Sequence, residues 1–161
     1  MKTLILLEAK KIALDMFEKV EPVEHGDFLR IHSEKVGKVA VMIARIMQLD
    51  DEIFEIAGWI HDIGYSENFE NHADFSISIL ERMGYELSDV LSDCVSNHGN
   101  GMDPKTIEGK IFQVADKLSI FDIEIIGSML KNGSFPLEDG DIDFLKMMSE
   151  NALKLVKNFS K

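Results

Sequence analysis

An all-α fold is what this 161-residue chain predicts, on three observations. Apolar residues recur at intervals of three and four almost throughout, no stretch alternates apolar and polar residues for the length of a half-buried strand, and only three prolines interrupt the pattern. Together they give one bundle of about six to seven helices over residues 1–161. A chain of this length buries roughly two-thirds of its unfolded surface around a single core.

Thr3 is placed to cap a first helix whose face is Ile5, Ala9, Ile12, Met16 and Val20. It ends before Glu21-Pro22, because the residue before a proline avoids the helical region. After a loop through His25-Gly26-Asp27, a second helix carries Val36, Val39, Ala40, Ile43 and Met47 along one side, and counting back by four from Ala40 and Val36 lands on His32. Asp50-Asp51 caps a third helix with Ile53, Ile56, Ala57 and Ile60 inward. Gly64 reads as its left-handed stop, which puts His61 and Asp62 in the last turn. A fourth helix, about 70–83, aligns His72, Phe75, Ile79 and Met83 before Gly84. A fifth aligns Leu87, Leu91, Cys94 or Val95, and His98 before Gly99. Asp103-Pro104 opens a sixth through Ile107, Ile111, Val114, Ala115 and Leu118, with Asp116 embedded in it. Residues 133–140 form a turn-rich break, and a last amphipathic helix, about 141–160, uses Ile142, Leu145, Met148, Ala152, Leu155 or Val156, and Phe159. The joint at 132–141 leaves this helix two roles: covering the core, or pairing two copies into a homodimer.

The formal charge is −12, from 29 acidic and 17 basic residues, a field that repels duplex nucleic acid and anionic membranes. A small phosphorylated substrate needs only a local positive site, which bound metal ions supply inside an acidic protein. Cys94 is the only cysteine, so no intramolecular disulfide forms, as suits a reducing cytoplasm. The apolar opening Leu4-Ile5-Leu6-Leu7 is broken by Glu8, Lys10 and Lys11 far short of a signal or spanning segment. A cytoplasmic protein without a membrane partner is expected.

The chemistry centres on Ala57-Gly58-Trp59-Ile60-His61-Asp62-Ile63-Gly64, where an apolar run meets an imidazole and a carboxylate. Desolvating such groups without a partner or cation is costly. His32, His72, His98 and Asp116 also sit on or beside apolar stripes, and imidazole with carboxylate suits divalent iron, manganese, cobalt, nickel or zinc. The six residues come from five helices, so spacing alone does not show that they converge. His25, between Glu24 and Asp27, reads as a surface residue; Trp59, Phe54, Phe69 and Phe75 read as core, as do the nine methionines.

His32, the pair His61-Asp62 and Asp116 stand in the order His…His-Asp…Asp, and Ile63-Gly64 follows the pair. Over about residues 28–125, opened by His32-Ser33-x-x-Val36 and closed by Val114-Ala115-Asp116-Lys117, the chain resembles the HD superfamily of metal-dependent phosphohydrolases in its HDIG form. The resemblance implies a single HD-domain helical bundle with a metal-binding core at about 28–125. It implies that His32, His61, Asp62 and Asp116 hold one metal ion. His72 and His98 match the places where some subfamilies hold a second ion, with Asp62 bridging. Spacing and the Ala-Asp-Lys ending look most like the small dinuclear hydrolases that cut dinucleoside tetraphosphates symmetrically. Gly101-Met102-Asp103-Pro104 stands where cyclic-dinucleotide phosphodiesterases carry Gly-Tyr-Pro.

Charge favours two ions. One divalent ion with Asp62 and Asp116 sums to zero, whereas two sum to +2, and only the second strongly attracts phosphate. The expected reaction is hydrolysis of a small nucleotide or related phosphoester by a metal-bridging hydroxide, with ions about 3.5–4 Å apart. His61 and Asp62 form the catalytic pair, and Lys117, directly after a ligand, is both a catalytic and a substrate-binding candidate. Arg30, Lys35 and Asn100 are further substrate-binding candidates. The alternatives are a di-iron oxygenase built on the same ligands and a non-catalytic nucleotide-binding regulator.

Overall fold

The computed structural model describes residues 2–131 and 139–159, and eight α-helices and one 3-10 turn carry nearly all their regular structure. In chain order these are β1 (Lys2–Thr3), α1 (Leu6–Phe17), α2 (Val23–Ile46), α3 (Glu52–Ile60), the 3-10 turn Ile63–Ser66, α4 (His72–Arg82), β2 (Tyr85–Glu86), α5 (Asp89–Ser96), α6 (Ile107–Ser119), α7 (Ile123–Lys131) and α8 (Asp139–Phe159). The fold is all-α, with one helix more than expected. The apolar spacing runs α6 and α7 together, but the chain turns through Phe121 and Asp122, and Asp122 Oδ1 accepts the Glu124 amide at 2.8 Å to start α7. Among the described residues no helix is long and apolar enough to cross a membrane.

Several predicted boundaries move, each for a visible reason. Thr3 caps nothing: it lies in β1, paired in parallel with β2 through Lys2–Tyr85 and Thr3–Glu86. Ile5 is exposed, and α1 buries Ala9, Ile12, Ala13 and Phe17 instead. His25-Gly26-Asp27 is not a loop but the first turn of α2. Gly26 is there for closeness, since a Cβ on it would lie 2.3 Å from the Phe17 carbonyl oxygen. The sixth predicted helix starts not at Asp103-Pro104 but after Thr106, whose hydroxyl accepts the Gly109 amide at 2.9 Å. The Asp93 carboxylate takes the Lys105 and Thr106 amides at 3.0 and 2.8 Å, which holds the chain before α6 out of the helix. Gly84 does end α4 in the left-handed region, at φ +86°.

The core lies where α2 crosses α3 and α6, with Val36, Ala40, Phe54, Ile60, Ile111 and Phe112 fully buried. The α2–α3 crossing is a backbone contact: a Cβ on Gly58 would lie 2.7 Å from Gly37 Cα and 2.8 Å from the Ser33 carbonyl oxygen. His32 precedes that contact on one helix and His61 follows it on the other, so the crossing sets their separation. α8 packs on α6 through buried Met148 and Ala152. Residues 139 and 140, expected in the turn-rich break, belong to α8; the rest of that break, and the side chains of Ile142 and Phe159, lie outside the described residues.

Candidate metal centre

His61 ends α3 and Asp62 follows it, both buried. The turn Ile63–Ser66 then carries the chain under α4. Gly64 is not a left-handed stop: its amide donates to Ser76 Oγ at 2.9 Å, and a Cβ on it would lie 1.9 Å from the His72 carbonyl oxygen. Glycine is needed there because the backbones touch. His72 opens α4, His98 lies just past the end of α5, and Asp116 projects from α6.

These side chains meet. His32 Nε2 lies 3.0 Å from Asp116 Oδ1 and 3.6 Å from Asp62 Oδ2, and His61 Nε2 lies 3.1 Å from Asp62 Oδ2. The other Asp62 oxygen, Oδ1, lies 3.5 Å from both His72 Nε2 and His98 Nε2, which are themselves 3.1 Å apart. Two groups of buried residues are close enough to hold an ion: His32, His61 and Asp116, and His61, Asp62 and His98.

The opposite nitrogen of each ring is already committed. Nδ1 of His61, His72 and His98 donates to the carbonyl three residues earlier, of Gly58, Phe69 and Val95, at 2.9, 3.1 and 2.6 Å. Ser119 gives its hydroxyl hydrogen to the Asp116 carbonyl at 2.9 Å, so its oxygen faces His32 Nδ1, 3.3 Å away, as an acceptor. In the neutral form of each ring Nε2 is therefore left as a bare lone pair, aimed at the other lone pairs and at two carboxylates. His61 Nε2 is fully buried without a hydrogen-bond partner.

Such a cluster requires positive charge at its middle. Burial alone would depress His61, but Asp62 and Asp116 outweigh it and draw its pKa up. Burial opposes ionisation of Asp116, yet Lys117 and His32 hold its carboxyl far below the usual range. Donors about 2.1 Å from a shared divalent ion lie roughly 3.0–3.4 Å from one another, and most of the separations here are close to that. The residues fit a metal site.

Lys117 is buried, and its ammonium bonds the His98 carbonyl at 2.9 Å and the Asp116 carboxylate. It ties two ligand-bearing segments together instead of reaching into open space. Asn100 borders the adjoining cavity, exposed and accepting from the Asn151 amide at 3.2 Å. Arg30 is exposed and does not line that cavity, and neither does Lys35, which is paired with Asp122 and Glu124 at 3.4 and 3.0 Å. Phe69, expected in the core, is 70% exposed at the cavity wall, and exposed His25 lines the same wall.

Three supporting residues were missed in the sequence. Phe28 stacks on His32 with ring centroids 5.6 Å apart, Tyr65 stacks on His72 at 4.0 Å, and Ser119 orients His32. Phe28 sits one helical turn before His32 and Ser119 three residues after Asp116, spacings that place each beside its ligand on one helix face. Nothing in the sequence distinguishes Tyr65.

Residues 29–120 match the HD domain family. The chain is similar to a deoxyguanosinetriphosphate triphosphohydrolase-like protein of Caldanaerobacter subterraneus subsp. tengcongensis, 28% identical over 137 residues that cover 69% of this chain and 40% of that protein. It is also similar to ribonuclease Y of Ureaplasma parvum serovar 3, 29% identical over 96 residues, and of Treponema denticola, 31% identical over 98 residues. Both alignments cover 59% of this chain, but only 20% and 19% of the respective relatives. The chain thus spans less than half the length of these curated relatives. No solved structure matches it.

Proposed function

Because the chain belongs to the HD domain family, we propose that it is a metal-dependent phosphohydrolase acting on a small phosphorylated molecule, a nucleotide or related phosphoester. One observation carries the reading: four imidazole Nε2 atoms aim at two aspartates while every opposing Nδ1 is already bonded. A structural histidine has no need of that arrangement. It is what divalent ions require of neutral imidazole ligands.

The two oxygens of Asp62 face different partners, Oδ2 toward His32 and His61, Oδ1 toward His72 and His98. This supports a site for two ions, in which His32, His61, Asp62 and Asp116 would hold one and Asp62, His72 and His98 the other. Two divalent ions held there supply a water of lowered pKa and a clamp for phosphate oxygens. The chain's own part is positional. Gly58, Phe69 and Val95 carbonyls set the histidine tautomers, Lys117 pins Asp116, and Phe28 and Tyr65 shield the rings. Likeness to the symmetrical dinucleoside tetraphosphate hydrolases makes diadenosine tetraphosphate the polyphosphate to set against phosphate monoesters in the test.

The test is metal analysis of protein purified without chelator, then phosphate release across a nucleotide and phosphomonoester panel with iron, manganese, cobalt, nickel or zinc. Two ions per chain and metal-dependent phosphate release are expected. Protein that binds no divalent ion, or that binds ions but turns over no phosphoester, overturns the reading; the second outcome leaves a nucleotide-binding regulator.

A further inference from the structure

The cavity beside the metal centre has a volume of about 570 Å³, which is within the range of small-molecule sites. Five of the six candidate ligands line it, all but the fully buried His61, and beyond them and His25 its walls are mainly apolar: Phe28 and Leu29 of α2, Tyr65 and Phe69 after the 3-10 turn begins, and Phe144 and Met148 of α8. Among the described residues Lys117 is the only lysine or arginine in the lining, and its ammonium is already spent on the His98 carbonyl and Asp116. Glu21 adds a negative charge to the same wall.

We infer that this site takes a phosphate monoester, one terminal phosphate on an aromatic or apolar body, in preference to a polyphosphate chain. The inference rests on the two-ion reading above. Two divalent ions with Asp62, Asp116 and the paired Lys117 ammonium would leave a charge of +3, most of which one phosphate dianion balances. Among the described residues of this wall a second or third phosphate would meet no lysine or arginine with a free ammonium or guanidinium, only the His25 imidazole, and would lie beside Glu21 in a chain of formal charge −12. The rest of the substrate meets aromatic surface instead. Phe69, 70% exposed and edge-on to Tyr65 at 5.2 Å, and Phe144, 41% exposed, have apolar area that such a body would bury.

Calorimetric titration of the manganese-loaded protein with three ligands tests this: 1-naphthylmethylphosphonate and methylphosphonate, whose P–C bonds are not hydrolysed, and β,γ-methylene-ATP, whose terminal phosphate is not released. The naphthyl ligand is expected to bind at least about tenfold more tightly than methylphosphonate, the margin that burying one aromatic side chain's worth of surface provides. It is also expected to bind more tightly than the triphosphate analogue. Phe69→Ala and Phe144→Ala, both at exposed positions that spare the core, are expected to remove most of the first margin without changing metal content. Equal binding of the two phosphonates, tighter binding of the triphosphate analogue, or an aromatic margin that survives both substitutions overturns the inference. Naphthyl preference without hydrolysis of any phosphoester would instead defeat the hydrolase reading and leave this one standing.

Discussion

His72 Nε2 and His98 Nε2 face each other at 3.1 Å, and neither ring has an Nδ1 hydrogen to spare, since Phe69 and Val95 carbonyls hold them. Two lone pairs at that distance repel unless a cation or proton lies between them. His98→Ala is therefore expected to lower the metal count, measured by elemental analysis, from two per chain toward one. A count that stays at two would remove His98 from the ligand set.

His61→Ala and Asp62→Ala are expected to abolish phosphate release while leaving the far-ultraviolet circular dichroism largely unchanged. Both side chains are buried at the end of α3 and take part in the cluster more than in the apolar core. Turnover persisting within about tenfold of wild type would be too small a loss for a metal ligand, since even residues that only orient ligands typically cost 10–100-fold.

Gly64→Ala would put a methyl group 1.9 Å from the His72 carbonyl oxygen. Backbone on both sides has no rotamer with which to escape, so a loss of about 1–3 kcal/mol in urea unfolding is expected, as for other overpacked sites. Metal affinity is expected to fall with it, because the displaced strand of chain carries His72. A variant with wild-type stability and metal affinity would show that the turn and α4 move apart freely.

Asp93 supplies a pH dependence that does not involve the metal centre. Burial would raise its pKa, but bonds from the Thr106 hydroxyl, the Thr106 and Lys105 amides and Asn97 outweigh that and lower it. A carboxyl depressed on folding adds stability that is fully present above the unfolded value, about 3.9, and is lost as pH falls through the folded value. Asp93→Asn is expected to cost roughly 1.5–3 kcal/mol at pH 7, the range for hydrogen bonds to a charged group. The difference from wild type, measured by urea unfolding at a series of pH values, is expected to shrink below about pH 3.9. A difference that stays constant down to pH 2 would contradict this origin.

Much of the fold was legible because an amphipathic helix writes its period into the chain, and α2, α3, α4 and α5 follow the apolar stripes read from it, except that Met47 and Met83, read as the inward ends of α2 and α4, lie just past those helices and are exposed. What was not legible depended on distant partners. The β1–β2 pairing joins two residues to two others 83 positions later, which no local pattern records. The start of α6 is decided by Asp93, on the preceding helix and 12 and 13 residues before the two amides it holds. Lys117 was readable as a cation next to a ligand, but not as one facing inward, because that depends on where the His98 carbonyl falls. Arg30 and Lys35 carry the charge a phosphate needs, but neither lines the cavity, and Lys35 is held instead by Asp122 and Glu124. His32, His72 and His98 stood out because an imidazole on an apolar stripe is an anomaly wherever the helices end up.

The bond from each ring of His61, His72 and His98 to the carbonyl three residues behind it stays within its own segment. Each of these donors is thus aimed by local chain geometry, before any other helix arrives. Assembly needs only to bring pre-pointed nitrogens within reach of the aspartates. A lesion elsewhere in the bundle would then take away the whole pocket at once instead of tilting its ligands by degrees.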